Sequence, residues 1–325
     1  MASPFTPPAP GRPDTAILLL NMGGPLRLDR VAPFLLELFN DRDIIRLGPA
    51  LLQPLIARII VGSRLKGVLQ RYGEIGGGSP ILRESAAQAA VLRRSLREAG
   101  RSEPVMLVFR YAAPRAEGLL RALRNRGITR LLPVTLYPHA CRATTGSSLR
   151  DLERRAPAFG MRLLEGVRHY ALDPDFLTAW EDRLRAALTI HPEATVLFSA
   201  HSLPRKQVEQ GDPYQREIEA CVAALQDRLG AIPGGYRLAY QSKVGPIPWL
   251  TPNLARVIPE LAGRDVIVAP ISFVSEHIET LHELDIEYAH LATRSGLRSW
   301  TRIPVPGTHP AYIRCLARRT LDALG

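Results

Sequence analysis

The sequence predicts an α/β protein of two units, each a parallel sheet covered by helices on both faces. Three observations predict it. Six short runs are apolar almost throughout, as strands buried on both faces are. Amphipathic helical patterns separate those runs, the alternation that builds parallel sheets. The unusual residues follow the runs directly, at the strand ends where open α/β sheets bind ligands.

In chain order, the leader "MASPFTPPAPGRPD" is Pro-rich without a basic-then-apolar signal pattern, and residues 1–14 are read as flexible. Strands are predicted at 15–21, 104–111 and 130–137, then at 194–200, 236–242 and 265–273. Helices are predicted near 28–40, 83–99, 115–126, 146–156, 174–189, 213–229, 253–262 and 308–324. Three strands fall in each half, so the first unit is drawn at 15–165 and the second at 166–325. The last helix is expected to pack back on the first unit. Segment 51–73 is apolar but contains Pro54, Gly62, Arg58, Arg64 and Lys66, so it does not span a bilayer. It reads as a core helix or as a lip lying on a membrane or a flat apolar ligand.

Composition bounds the function. The chain has 325 residues, with 42 Lys+Arg against 31 Asp+Glu and a net charge of +11. That balance points to an anionic partner. No long basic block or nucleic-acid fingerprint appears, so no nucleic acid is expected. Cys141, Cys221 and Cys315 are far apart and form neither a zinc pattern nor a disulfide framework, which fits a reducing cytoplasm. There is no G-x-S-x-G elbow for a serine hydrolase. "GEIGGGSP" at 73–80 lacks the spacing of a nucleotide fingerprint and reads as a tight close-approach turn. "TTGSSL" at 144–149 reads as a helix cap or an anion site.

One stretch runs against the basic background. "SEHIETLHELDIEY", Ser275 to Tyr288, holds Glu276, Glu279, Glu283, Asp285 and Glu287 with two histidines. At 100° per residue, Glu276, Glu279, Glu283 and Glu287 share one stripe, joined by His290, while Leu281, Leu284, Tyr288 and Leu291 take another face. Three acid pairs at i,i+3 or i,i+4 each cost roughly 0.2–0.5 kcal/mol. The stripe reads as a solvated face or as a lane for cations or protons. His201 closes the run "LFSAH", where an imidazole can accept a proton or ligate a metal. With no H-E-x-x-H and no C-x-x-C, a transient metal contact suits the chain better than a permanent site.

Together, "LLLNMGGP", "LFNDRDIIRL", "YGEIGGGSPI", "FRYAAP", "LYPHACRATTGSSL", "FSAHSLP", "GDPY", "YQSKVGPIPWL" and "HIETLHELDIEY" resemble the ferrochelatase family in order, over most of the chain. The resemblance implies two Rossmann-like domains with a porphyrin cleft between them. It implies insertion of ferrous iron, a substrate, into protoporphyrin IX. "NMGGP" and "ELDIEY" resemble the protoporphyrin branch; the coproporphyrin branch has a Tyr near the position of Met22. His201 and Glu279 are the implied catalytic and metal-contacting pair, and Glu276, His277, Glu283 and Glu287 the implied path for protons or iron. Arg64, Ser79 and Ser242 would meet the propionates. Met22, Tyr72 and Trp249 would wall the ring, with Arg110, Tyr111 and Tyr137 along the inner cleft. Segment 51–73 corresponds to the family's membrane-facing lip, which implies a cytoplasmic protein peripheral on the inner face of the cell membrane.

Departures limit the carry-over. Ala113 stands where many relatives have a His, Tyr240 replaces a Trp, and Glu276 replaces an Asp. Arg142 occupies the position of a cluster cysteine in animal relatives, and no Cys-rich tail follows, so no iron–sulfur cluster and no permanent cofactor is expected. Two other enzyme or carrier readings stay open: a chelatase for another tetrapyrrole such as coproporphyrin III, and a porphyrin or haem carrier without chemistry. A nucleotide-binding protein is remoter, for want of phosphate fingerprints.

Overall fold

A computed structural model of the chain describes residues 13–243, 245 and 247–325. Most of the leader (residues 1–12) lies outside the described residues, so that expectation has no structural counterpart here.

The apolar runs form the strands β1 (Thr15–Asn21), β2 (Val105–Phe109), β3 (Arg130–Thr135), β5 (Thr195–His201), β6 (Tyr236–Gln241) and β7 (Asp265–Ala269). Two short strands, β4 (Arg162–Leu163) and β8 (Ser299–Arg302), add an edge to each sheet. Neither has an apolar run, so neither was predicted. Every pairing is parallel, and the sheet orders are β2-β1-β3-β4 and β6-β5-β7-β8. The two units therefore share one topology. β2, β3 and β7 stop two to four residues short of the predicted ends, because the chain leaves the pleat there and turns over the sheet.

The helices are α1 (Val31–Asn40), α2 (Gln53–Glu74), α3 (Ile81–Glu98), α4 (Ala116–Arg124), α5 (Ser147–Arg155) and α6 (Pro174–Ile190). They continue with α7 (Arg205–Glu209), α8 (Tyr214–Leu229), α9 (Leu254–Glu260), α10 (Ala289–Arg294) and α11 (Pro310–Leu324). α11 packs on α6 and on α3, and its Tyr312 hydroxyl meets that of Tyr170 at 3.0 Å. One apolar core runs from Ile17 and Leu19 of the first sheet through Trp180 and Tyr312 to Val196 and Phe198 of the second.

Two segments are not α-helical: one lies just ahead of the predicted 146–156 helix, the other where the acidic stretch reads as an amphipathic helix. Arg142–Gly146 and Glu279–Tyr288 are π-helical, with wider i→i+5 turns that recur at functional sites. "TTGSSL" therefore opens on a π turn, and no side chain caps α5, so the capping expectation does not hold. The glycine-rich stretches are close approaches, as the sequence predicts. A Cβ on Gly24 would lie 2.7 Å from the Cβ of Ser79, and one on Gly78 would lie 2.2 Å from the Leu26 carbonyl oxygen. Only glycine lets "NMGGP" and "GGGSP" lie against each other.

α2 exposes an aliphatic stripe. Gln53, Ala57 and Val61 face inward, whereas Leu55 is 58% exposed, Ile59 63%, and Leu51 just ahead of the helix 95%. Among the described residues no helix is long and apolar enough to cross a membrane.

Candidate active site

A mostly apolar cleft of about 300 Å³ opens over the carboxyl ends of both sheets, a size suited to a small organic ligand or part of a larger one. Asn21 ends β1 and Met22 follows it, and Tyr137 and His139 follow β3. His201 ends β5, Ser242 follows β6, and Phe273, His277 and Glu279 follow β7. Leu38 and Phe39 at the end of α1 and Ile44 and Ile45 in the loop after it add a wall, and Trp249 adds another side.

His201 and Glu279 meet in this cleft. The His201 Nδ1 lies 2.7 Å from the Glu279 Oε2, with the imidazole 35% and the carboxylate 26% exposed. The backbone of His201 is fixed on both sides. Its N–H donates to Ser272 Oγ at 3.0 Å, and its carbonyl accepts from the Tyr214 hydroxyl at 2.9 Å. Tyr214 and Ser272 are themselves 2.7 Å apart. An imidazole tied through Nδ1 to a carboxylate keeps Nε2 for chemistry in the cleft.

A second carboxylate is linked to the first through Ser242. The Ser242 hydroxyl is 2.8 Å from Glu279 Oε2 and 2.6 Å from Glu283 Oε2, and its N–H donates to Glu283 Oε1 at 2.8 Å. One hydroxyl proton faces two acceptors, so it serves one carboxylate at a time. Ser242 holds φ +65°, a left-handed conformation rare outside glycine and of the kind that clusters at functional sites. Gln241 supports the pair from β6, donating to the Glu279 carbonyl and to Glu283 Oε2, both at 3.2 Å.

The electrostatics separate these groups. Burial works to raise the Glu279 carboxyl, but the positive charges of His201 and His277 and the hydrogen bonds from His201 and Ser242 bring it down to about 2. Burial and the Glu279 charge push Glu283 the other way, up to about 7. Burial alone would lower the His201 imidazole, yet the Glu279 and Glu283 carboxylates raise it. Burial lowers His277 below its ordinary value. Its Nδ1–H donates to the Ser275 carbonyl at 3.1 Å, and its Nε2 stands 3.9 Å from Glu279 Oε1. The arrangement couples a base, an anion and a carboxyl that can hold a proton at neutral pH.

The other sequence-predicted residues divide. Met22, Tyr137, Ser242, Trp249, His201, His277 and Glu279 line the cleft. Arg64, Tyr72, Ser79, Arg110 and Tyr111 are not among the described residues on its wall. Arg64 is exposed on α2, and Ser79 is buried against Gly24. Tyr72 is buried, and burial first, then the charge of Glu279, raises its hydroxyl well above the ordinary value. Arg110 and Tyr111 both donate to Asp41 Oδ2, holding the loop that carries Ile44 and Ile45. Glu287 sits farther out, 3.7 Å from Arg71.

Glu276 is turned away from this group. It precedes the π-helical segment and pairs with Arg302 at 2.9 Å while accepting from the Val305 N–H at 3.3 Å. The single stripe drawn at 100° per residue thus resolves into two places, because the backbone is not an α-helix there. No group of three or more His, Cys, Asp or Glu side chains among the described residues is arranged to hold a metal ion.

Tyr214, Ser272, Phe273 and His139 line the cleft without having been singled out in the sequence. Tyr214 ends the "GDPY" motif, a signal that was present without a role. Phe273 packs edge-on against His277 at 4.4 Å. His139 is buried, its ring nitrogens have no hydrogen-bond partner among the described residues, and burial with the nearby His169 lowers it to about 3.

The chain has relatives. The sequence profile described as Ferrochelatase matches residues 14–324. A protein named Ferrochelatase from Geobacter metallireducens is 44% identical over 310 residues, covering 93% of this chain and 96% of that one. Another of that name, from Nostoc sp. strain PCC 7120, is 41% identical over 318 residues, covering 95% of this chain and 82% of its own length. Among solved structures, SirB from Bacillus subtilis with Fe3+ superimposes with a TM-score of 0.57 at 16% identity over 95% of both chains, a likeness of fold.

Proposed function

The chain belongs to the ferrochelatase family, and from that premise we propose that this metal chelatase, a lyase, inserts ferrous iron into protoporphyrin IX to give protohaem. The observation that carries the reading is the His201–Glu279 pair, set in an apolar cleft and backed by the Ser242–Glu283 link.

Insertion replaces two pyrrole N–H bonds by bonds to the entering dication, and two protons leave. Neutral His201, its Nδ1–H directed to Glu279, takes one proton at Nε2, and the Glu279 carboxylate stabilises the imidazolium that forms. The second proton passes through the Ser242 hydroxyl toward Glu283, whose carboxyl is poised near neutrality. From there the exposed Glu287 delivers it to solvent. The same acids draw the incoming Fe2+, and His201 with Glu279 makes its transient contact. The apolar walls supply binding energy that bends the macrocycle toward the geometry in which its nitrogens face metal and base.

Met22, Tyr137 and Trp249 are the proposed ring contacts. Arg64, exposed on α2, is the proposed propionate contact; Ser79 is buried and Ser242 is engaged by Glu279 and Glu283, so neither keeps that role, and Tyr72 is proposed to close the ring's edge near Glu279. Arg110 and Tyr111 act through Asp41 on the wall loop. His277 positions Glu279, and Glu276 belongs to the path only through its charge. No resident cofactor is proposed. Cys141, Cys221 and Cys315 are all buried on separate elements, and burial raises each thiol, to about 12 for Cys141, which disfavours thiolate ligation. The exposed stripe on α2, flanked by Arg58, Arg64 and Lys66, is the proposed contact with the cytoplasmic face of a membrane.

Substrate choice tests the reading. With Fe2+ under anaerobic conditions, kcat/KM is expected to be higher for protoporphyrin IX than for coproporphyrin III. A clear preference for coproporphyrin III would overturn the assignment to the protoporphyrin branch.

A further inference from the structure

α3 touches both halves of the cleft through one buried face. Gln88 is fully buried, and its Nε2 donates to the Val274 carbonyl at 2.7 Å. Its Oε1 accepts from the Ser275 hydroxyl at 3.4 Å. Three residues earlier on the same face, Ser85 Oγ accepts from Asn21 Nδ2 at 3.2 Å. Asn21 Oδ1 in turn accepts the Met22 N–H at 2.8 Å.

These bonds reach one cleft segment in each unit. Asn21 and Met22 are where the chain leaves β1; Val274 and Ser275 lie on the segment that follows β7. All four residues line the cleft. Ser275 also orients the site directly, since its carbonyl holds His277 Nδ1, and His277 faces Glu279.

A buried glutamine could simply satisfy a carbonyl that would otherwise be orphaned. That role is already filled, because the Val274 carbonyl also accepts the Gly307 N–H at 3.1 Å. Removing Gln88 would leave Val274 partnered within its own unit. What would be lost is a direct hydrogen-bonded tie from α3 of the first unit to the segment after β7 in the second.

We infer that Ser85 and Gln88 form a bracket that sets the distance between the two walls of the cleft and holds the 270–278 segment, so that Gln88 is a positioning residue for His277 and Glu279. The inference rests on the reading of this cleft as the porphyrin site. The bracket acts through Ser275 and touches neither reactant.

The test compares the full-length protein with Gln88→Met, which keeps length and volume but removes both hydrogen bonds, and with Ser275→Ala, which removes one donor. Amide hydrogen exchange and steady-state insertion into protoporphyrin IX are measured on each. In Gln88→Met, exchange of the 270–278 amides is expected to rise roughly tenfold, on the scale of one lost buried hydrogen bond, while the central strands stay protected. The porphyrin KM rises and kcat falls. Ser275→Ala, which disturbs less of the fold, moves both readouts in the same direction by less. Unchanged exchange at 270–278 overturns the inference, as does an increase spread evenly over both units, which marks a purely structural glutamine. A wild-type protein that binds no protoporphyrin would fail the functional reading instead, and the exchange data would still decide the bracket.

Discussion

At His201 two opposing effects meet, and the balance sets the pH range of the chemistry. Burial favours the neutral ring, whereas Glu279 and Glu283 favour the charged one, and the carboxylates win. The ring accepts a proton only when neutral, so turnover is expected to fall as pH drops through a value above the ordinary 6.5 of the imidazole. Glu279→Gln removes the largest of those charges. The acidic limb of the pH–rate profile should then move to lower pH, and Glu283, freed of its neighbour's repulsion, should titrate below about 7. Turnover should fall by about a hundredfold or more, the scale of a lost general base arrangement, while porphyrin affinity changes little. Steady-state rates from pH 5 to 9 and a porphyrin binding titration check this. At this scale the sequence singled out His201 and Glu279, which the structure brings together, because each stands in a distinctive motif, one ending β5 and one in the segment after β7. It could not reveal that Ser242 joins Glu279 to Glu283, or that Tyr214 and Ser272 clamp His201, since those contacts cross 13 to 71 residues of chain.

Among the elements, the π-helical segment after β7 holds the paired acids and α2 exposes an aliphatic stripe. The wider turns of the π segment place Glu279 and Glu283 on one serine, four residues apart. An α-periodic reading finds the acids but misplaces Glu276, whose actual partner is Arg302. Hydrogen-bond spacing of this kind leaves no trace in hydropathy. The edge strands β4 and β8 escaped for a related reason: two and four residues are too few to show a pattern. α2 was legible as an interrupted apolar helix, but which side faced out needed the fold. Leu51, Leu55 and Ile59 recur every fourth residue and are all exposed. Burying an aliphatic side chain of this size is worth about 1.5–3 kcal/mol. Replacing all three by Ser should therefore release the protein from anionic liposomes in a co-sedimentation assay, with the melting temperature little changed because none of the three is buried. Equal sedimentation of wild type and variant would contradict the membrane contact.

For the whole molecule, the repeated strand order explains why the chemistry sits where it does. In each unit the first strand is flanked by the next two, so the sheet changes direction beside β1 in one and β5 in the other. Ligands bind at such switch points. Asn21 and His201 end the two equivalent strands, and both line the cleft. The alternation of apolar runs and amphipathic helices makes this architecture readable from the sequence. The closeness of the two units was not readable, because it depends on α3 and α11 lying against each other and on the single core that crosses between the sheets.

In the proposed function, His201 and Glu279 carry out metal insertion in this cleft. The most direct test is anaerobic mixing of the protein with protoporphyrin IX and Fe2+, following the free-porphyrin visible bands as they give way to those of the metalloporphyrin, with His201→Ala in parallel. Turnover by the wild type is expected, with a loss of at least about a hundredfold in the variant and porphyrin still bound. Porphyrin that binds both proteins and stays metal-free in both, or equal turnover by the two, would contradict it.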